Sequence, residues 1–443
     1  MRVPSVACHL RTDGKISAEA ERSTPFARYD GAMAFSKRHP HVAVLGGGLQ
    51  GCCIALALAD RGARVTLYDR NDALMTQAAV VNEGRMHLGY IYAADTSLAT
   101  ARMMVRGALA FAPFIERHVG LSPERLAPSR PTTYLVHRDT QRPVDELAGY
   151  LAAVHALVWD AVGGRKDAYF GVELAATPRR WSAAERDKLF DRSLAVAAFD
   201  TPEIAIDPAV LGQAVPERVK ATPGIETRLQ RTVSSVEDHG AALRVLSDGP
   251  EGPAREGYDH VVNALWDGRL RIDGTRGLQP SRPWIHRFKY GIRFRTSTGS
   301  SLPTVAIMLG PFGDLVTYGQ GIVYLNWYPT CLEGISHAVS PPEWPRIPAE
   351  ERRARLVAGT LDAMAEIILP LRDLDATSLP DCTVQGGVIV AWGHTDIDDP
   401  ASELHRRYEI GVTSSGRYHS VDPGKLTMTP YFAGVCADRI VAS

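Results

Sequence analysis

The stretch V-A-V-L-G-G-G-L-Q-G-C-C-I-A-L-A-L-A-D-R-G-A-R-V-T-L-Y-D-R, residues 42–70, constrains the fold of this 443-residue chain more than any other. Val42 to Leu45 is a short apolar run suited to a buried parallel strand. Gly46, Gly48 and Gly51 follow in G-x-G-x-x-G spacing. In such a unit the first glycine permits a tight turn and the second lets backbone approach a pyrophosphate. The third lets the following helix lie close on the strand. That helix is expected from about Gln50 to Arg61, with Leu49 and Gln50 at the end whose amides and dipole favour phosphate. Gly62 closes it, and Arg64 to Tyr68 forms the next strand. Asp69 stands eighteen residues after Gly51, where a carboxylate can accept ribose hydroxyls, and Arg70 adjoins it. The unit predicts a dinucleotide with an unphosphorylated ribose, which disfavours NADP and leaves NAD and FAD open.

Composition narrows the setting. A hydrophobic fraction of 45% and a charged fraction of 22% are those of an ordinary globular protein, long enough for two lobes. The formal net charge of −1 argues against nucleic acid or an anionic membrane as the main partner. No apolar run is long enough for a transmembrane segment. The six cysteines form no C-x-x-C pair and no metal-ligand spacing, so no metal site is expected and a cytoplasmic location is the simplest reading. Residues 1–40 mix Ser, Thr, Pro and charges without periodicity or an apolar core, and read as a flexible tail.

Beyond Asp69 the chain departs from another strand–helix repeat. It continues as the irregular N-E-G-R-M-H-L-G-Y, followed by a long helix for which Ser97 is the expected cap. The pattern Asn82, Gly84, His87, Gly89, Tyr92 resembles the flavoprotein superfamily named for D-amino acid oxidase. Local similarity is to its L-2-hydroxyglutarate and glycerol-3-phosphate dehydrogenases. That resemblance implies FAD rather than NAD, with Asn82, Gly84, Arg85, Met86 and His87 running beside the isoalloxazine. It places Val233 at the adenine and Asn263, Ala264 and Trp266 at the end of a second cofactor strand. V-D-P-G-K-L-T, with Gly424, Lys425, Leu426 and Thr427, resembles the closing glycine loop before the final helix. A helix starting near Lys425 to Pro430 can direct its amides at charge developing on a reduced flavin, and Lys425 can add a full charge. The plainer alternative for Lys425 is a surface lysine near a turn.

The expected architecture is therefore α/β: a Rossmann-like FAD-binding domain (41–115, 201–270 and 376–443) with an interleaved α+β substrate domain (116–200 and 271–375). The substrate domain is expected to rest on an antiparallel sheet, because W-I-H-R-F-K-Y-G-I-R-F-R (284–295) alternates at period two and 304–329 reads as successive strands. Parity puts Phe288, Tyr290, Ile292 and Phe294 on one face and Arg287, Lys289, Arg293 and Arg295 on the other. Arg293 and Arg295 are favoured over Lys289 because a guanidinium grips a carboxylate bidentately. Tyr318 joins them as a candidate on the same sheet.

His87 is the sharpest single candidate. Beside a flavin it can act as a base, serve as a structural contact or attach the flavin covalently. His394 and His419 are rival bases on later loops, with Arg417 and Tyr418 near the second. The expected activity is removal of a hydride from a CH–OH or CH–NH carbon of a small polar, anionic substrate. Oxygen or a quinone-type acceptor then reoxidises the flavin. A flavin monooxygenase and a non-catalytic FAD-binding protein are the alternatives.

Overall fold

In the computed structural model, the residues described are 39–165, 168–176, 178–296 and 302–443. Most of the expected tail thus lies outside them. The opening motif forms the strand His41–Leu45 and the helix Leu49–Asp60, whose residues 49–58 are all buried. Arg64–Tyr68 returns as a parallel neighbour, pairing Val42 with Val65 and Leu45 with Tyr68. The sheet extends to Ile225–Arg228 on one side and to His260–Asn263 and Tyr418–Asp422 on the other, all in parallel. Gly411–Ser415 closes that edge as an antiparallel strand. The final helix, Thr429–Val441, packs beside the first.

A second, nine-stranded sheet is mainly antiparallel and is built around the long strand Trp284–Arg295. Its even-numbered apolar residues Phe288, Tyr290, Ile292 and Phe294 enter one buried cluster with Leu325, Leu361 and Met364, as the alternation predicts. A three-stranded antiparallel sheet, Thr232–His239, Ala242–Asp248 and Ala254–Tyr258, stands apart from both. The fold is thus mixed α/β, a parallel sheet of Rossmann type plus an antiparallel one.

Two local expectations differ. The strand Thr383–Trp392, which falls in the expected last cofactor segment, pairs along Trp284–Arg293 instead. Ten ladder positions fix it to the antiparallel sheet. The long helix begins at Ala99, with Leu98 in the left-handed conformation before it. Asp95, rather than Ser97 alone, meets its free amides: Oδ2 accepts the Thr100 N–H at 2.9 Å while Ser97 Oγ accepts that of Ala99 at 3.2 Å.

Candidate active site

A cavity of about 250 Å³ lies against the carboxyl ends of the parallel strands and reaches the antiparallel sheet. One end is made largely of backbone. Gly46 has φ +103° and a Cβ there would sit 2.6 Å from the Ala264 carbonyl oxygen. At Gly51 a Cβ would lie 1.8 Å from the Gly46 oxygen, so only glycine lets the helix close on the turn. Gly48 differs: nothing lies within 4 Å of an added Cβ, and it lines the cavity. The helix that follows has no side-chain cap and no acid in its first turn. This end is ready for an anion. Asp69 lines it too, with Oδ2 accepting the Gly47 N–H at 2.7 Å and Oδ1 accepting the Asn71 N–H at 2.8 Å.

The opposite end is made of side chains. His87, Glu83, Arg85, Lys289, Tyr324 and Lys425 line it. Arg85 is 2% exposed and reaches across to the antiparallel sheet, donating to Asp314 at 2.9 Å and Thr132 at 2.7 Å. Glu83 is half-buried; burial would raise its carboxyl, but Lys425, Lys289 and His87 hold it down at about 2. Burial, with the charges of Arg407, Arg287 and Lys289, brings Lys425 down to about 8, against the pull of Glu83. Its Nζ makes no hydrogen bond or ion pair among the described residues. Burial keeps the His87 imidazole below its usual value, and Lys425 adds to this against the pull of Glu203 and Glu83. The buried guanidinium of Arg407 donates, among the described residues, to the carbonyls of Leu404, Val390 and Gly424, and burial, with Arg287 and Arg282 nearby, brings it down to about 10.

Residues 41–377 match the family described as DAO, FAD dependent oxidoreductase. The chain belongs to this family. Among curated proteins it is 26% identical over 322 residues to an FAD-dependent monooxygenase of Fusarium mangiferae, covering 72% of this chain and 69% of that one. Among solved structures, glycine oxidase from Geobacillus kaustophilus shares 14% identity with TM-score 0.65, over 91% of this chain and 95% of its own. L-amino acid deaminase from Proteus vulgaris shares 12% with TM-score 0.62, over 94% and 96%. These structural likenesses carry the fold alone.

DAO-family proteins are FAD-dependent, and the residues present fit that cofactor. The open space over Gly48 and the uncapped helix suit a pyrophosphate. Val233 lines the cavity beside Asp69 and Arg70, the latter 3.6 Å from Asp267. Asn82, Ala264, Trp266, Gly424 and Leu426 also line it, Trp266 tied by its indole N–H to the Val388 carbonyl at 2.7 Å.

Other sequence candidates stand away from the cavity wall, each for a visible reason. Gly51 and Gly84 are packing glycines; a Cβ on Gly84 would meet the Ile206 oxygen at 1.9 Å. Met86 is wholly buried in the main core. Asn263 donates to Asp273, Tyr418 and the Arg269 carbonyl. Thr427 accepts the His87 N–H and donates to the Arg85 carbonyl, so it shapes the His87 segment from outside. Among the catalytic candidates, Arg293 grips Asp207 bidentately at 2.8 and 2.6 Å. Arg295 is exposed and bonds Asp381 and the Gln320 carbonyl. Tyr318 donates to the Glu83 carbonyl at 2.8 Å. None of these three lines the cavity. His419 stacks on His260, Arg417 bonds the Ala241 carbonyl, Tyr418 meets Asp273 and His394 is exposed.

Sequence reasoning missed Glu83, Glu203 and Arg407, and ranked Lys289 below the two arginines. An acid inside the glycine-bearing N-E-G-R segment was the one signal available for Glu83.

Proposed function

We propose that this protein oxidises a CH–OH or CH–NH carbon of a small anionic molecule, with His87 as the base. The observation that supports it is the unbalanced charge at the side-chain end of the cavity. Lys425 and Lys289 line that end against the single carboxylate of Glu83, while Arg85 is occupied by Asp314. Arg407 behind them has no carboxylate partner among the described residues. An anionic group on the substrate completes this balance.

Bound FAD supplies the acceptor for a hydride. This chain's residues do the rest. Lys425 and Lys289 hold and orient the anionic group. Neutral His87 takes the proton from the substrate O–H or N–H as the C–H bond breaks. Tyr324 and the strand carrying Val388 cover the cavity from the sheet side and limit water. Reoxidation by oxygen or a quinone-type acceptor completes the cycle. Among the described residues no helix is long and apolar enough to cross a membrane, and the five described cysteines are unpaired. A reducing cytoplasm suits such cysteines.

The test is anaerobic titration of the FAD-loaded protein with 2-hydroxy acids, amino acids, secondary amines and polyol phosphates. Bleaching of the visible flavin band by one anionic class is expected; no bleaching by any of them sinks the reading. The 26%-identical relative named a monooxygenase favours one second reading. Against it stands V-D-P-G-K before the final helix, where aromatic hydroxylases of this general fold carry a G-D-A-A-H type motif. NADPH consumption coupled to substrate hydroxylation would decide for that alternative, and failure to take up FAD at all would favour a non-catalytic role.

A further inference from the structure

Glu203 is a fully buried carboxylate that the chemistry above does not use. It lies between the strand Ala195–Asp200 and the helix Pro208–Ala221. Its Oε2 accepts the Leu88 N–H at 2.6 Å and its Oε1 accepts the Tyr134 hydroxyl at 2.5 Å. No lysine or arginine forms an ion pair with it among the described residues, although the Arg85 charge acts on it; besides Tyr134, its ionisable contact is His87 Nδ1, 3.5 Å from Oε1. That separation is long for a hydrogen bond, yet Nδ1 is sealed from solvent and has no other partner. A fully buried carboxylate with no directly paired cation is costly to keep charged, and the group it faces is His87.

We propose that Glu203 is a positioning residue that fixes the tautomer of His87, keeping the proton on Nδ1 and the lone pair of Nε2 free on the cavity side. This rests on His87 being the base. A neutral imidazole has one donor and one acceptor nitrogen, and a carboxylate only accepts. With the Glu203 carboxylate facing it, an Nδ1 that engages that group does so as a donor, which leaves Nε2 as the acceptor. The backbone here is held by the Thr427 hydroxyl, which accepts the His87 main-chain N–H at 3.0 Å, and the ring packs edge-on against Tyr92 at 5.3 Å. In the reaction the substrate C–H bond breaks and its hydride goes to FAD. The substrate O–H or N–H bond breaks and its proton goes to Nε2, and a C=O or C=N bond forms. Glu203 then faces an imidazolium across the Nδ1 contact. The other groups around His87 are Lys425 and Glu83 on the cavity side, with Tyr134 beyond Glu203 and His405 beyond Tyr92.

Nitrogen-15 spectra of the histidine-labelled holoprotein at neutral pH test this, with His87 assigned by loss of its signals in His87→Gln. The Nδ1–H tautomer is expected; an Nε2–H tautomer or an imidazolium overturns the proposal whatever the activity. Glu203→Gln keeps one acceptor oxygen, for the Leu88 N–H, and puts an amide NH2 donor in the place of Oε1, facing Nδ1 and the Tyr134 oxygen. It is expected to invert the tautomer and slow flavin reduction by about 10²–10⁴, with KM nearly unchanged. Tyr134→Phe, which keeps the carboxylate, is expected to lose less than about tenfold and to retain the tautomer. Glu203→Gln reducing flavin at the wild-type rate with the same tautomer also overturns it. If His87→Gln reduces flavin at full rate, the base assignment falls, and the wild-type spectrum still decides the tautomer separately.

Discussion

The two ends of the cavity are built by different means. At the helix end, backbone does the shaping: Gly46, Gly48 and Gly51 carry no side chain, and helix amides supply the polarity. At the other end, half-buried and buried charges from distant segments converge, Glu83 and Lys425 from opposite ends of the chain and Lys289 from the second sheet. At the first end Gly46 and Gly51 leave no room for a Cβ, while Gly48 faces open space. The second tolerates small changes of shape but depends on who is ionised.

Substitutions at two glycines separate packing from binding at the first end. Gly51→Val should be the most damaging change in the molecule, since even its Cβ meets backbone at 1.8 Å. A loss above about 4 kcal/mol is expected, read as an absence of folded protein by thermal unfolding. Gly48→Ala meets nothing within 4 Å. It should leave the FAD-free unfolding temperature within a few degrees, yet weaken FAD by at least about tenfold, or 1.4 kcal/mol. Equal damage to apoprotein and cofactor binding at both positions would erase the distinction.

At the second end, Lys425 makes the pH argument. Its value in the folded protein, about 8, lies below its ordinary 10.5. Between those values the unfolded chain binds more protons than the folded one, so stability from this group rises with pH across that window. Urea midpoints of the FAD-free protein at about pH 7.5 and about pH 10 should therefore rise relative to those of Lys425→Met. Parallel curves would show that Lys425 is solvated and not part of a charged wall.

The same contrast explains what could be read in the sequence. Glycine spacing and strand parity are local, so the cradle, the strand Trp284–Arg295 and its apolar face were legible. The contacts of Glu203 with Leu88 span 115 residues and those of Arg85 with Asp314 span 229. No local pattern reports such pairs. Parity put Arg287, Lys289, Arg293 and Arg295 on one face correctly, but position along that face decides their roles. Arg287 meets Asp396 and Tyr328, Lys289 lines the cavity, and Arg293 and Arg295 lie beyond its edge.

Those last two arginines give the smallest effects and the sharpest check on where the site ends. Arg293 pairs with Asp207, which is 4% exposed at the side chain and caps the helix Pro208–Ala221 through the Ala209 N–H. Arg293→Ala leaves that carboxylate half-satisfied and should cost about 1–2 kcal/mol, seen as a lower urea midpoint. Arg295 and Asp381 are 46% and 74% exposed, and solvent screens their attraction. Arg295→Ala should therefore stay within about 0.5 kcal/mol of wild type and leave the rate of flavin reduction unchanged. A large rise in KM for Arg295→Ala would move the substrate outward along the strand, beyond Lys289. It would then make the exposed arginine, rather than Lys425, the group that holds the anion.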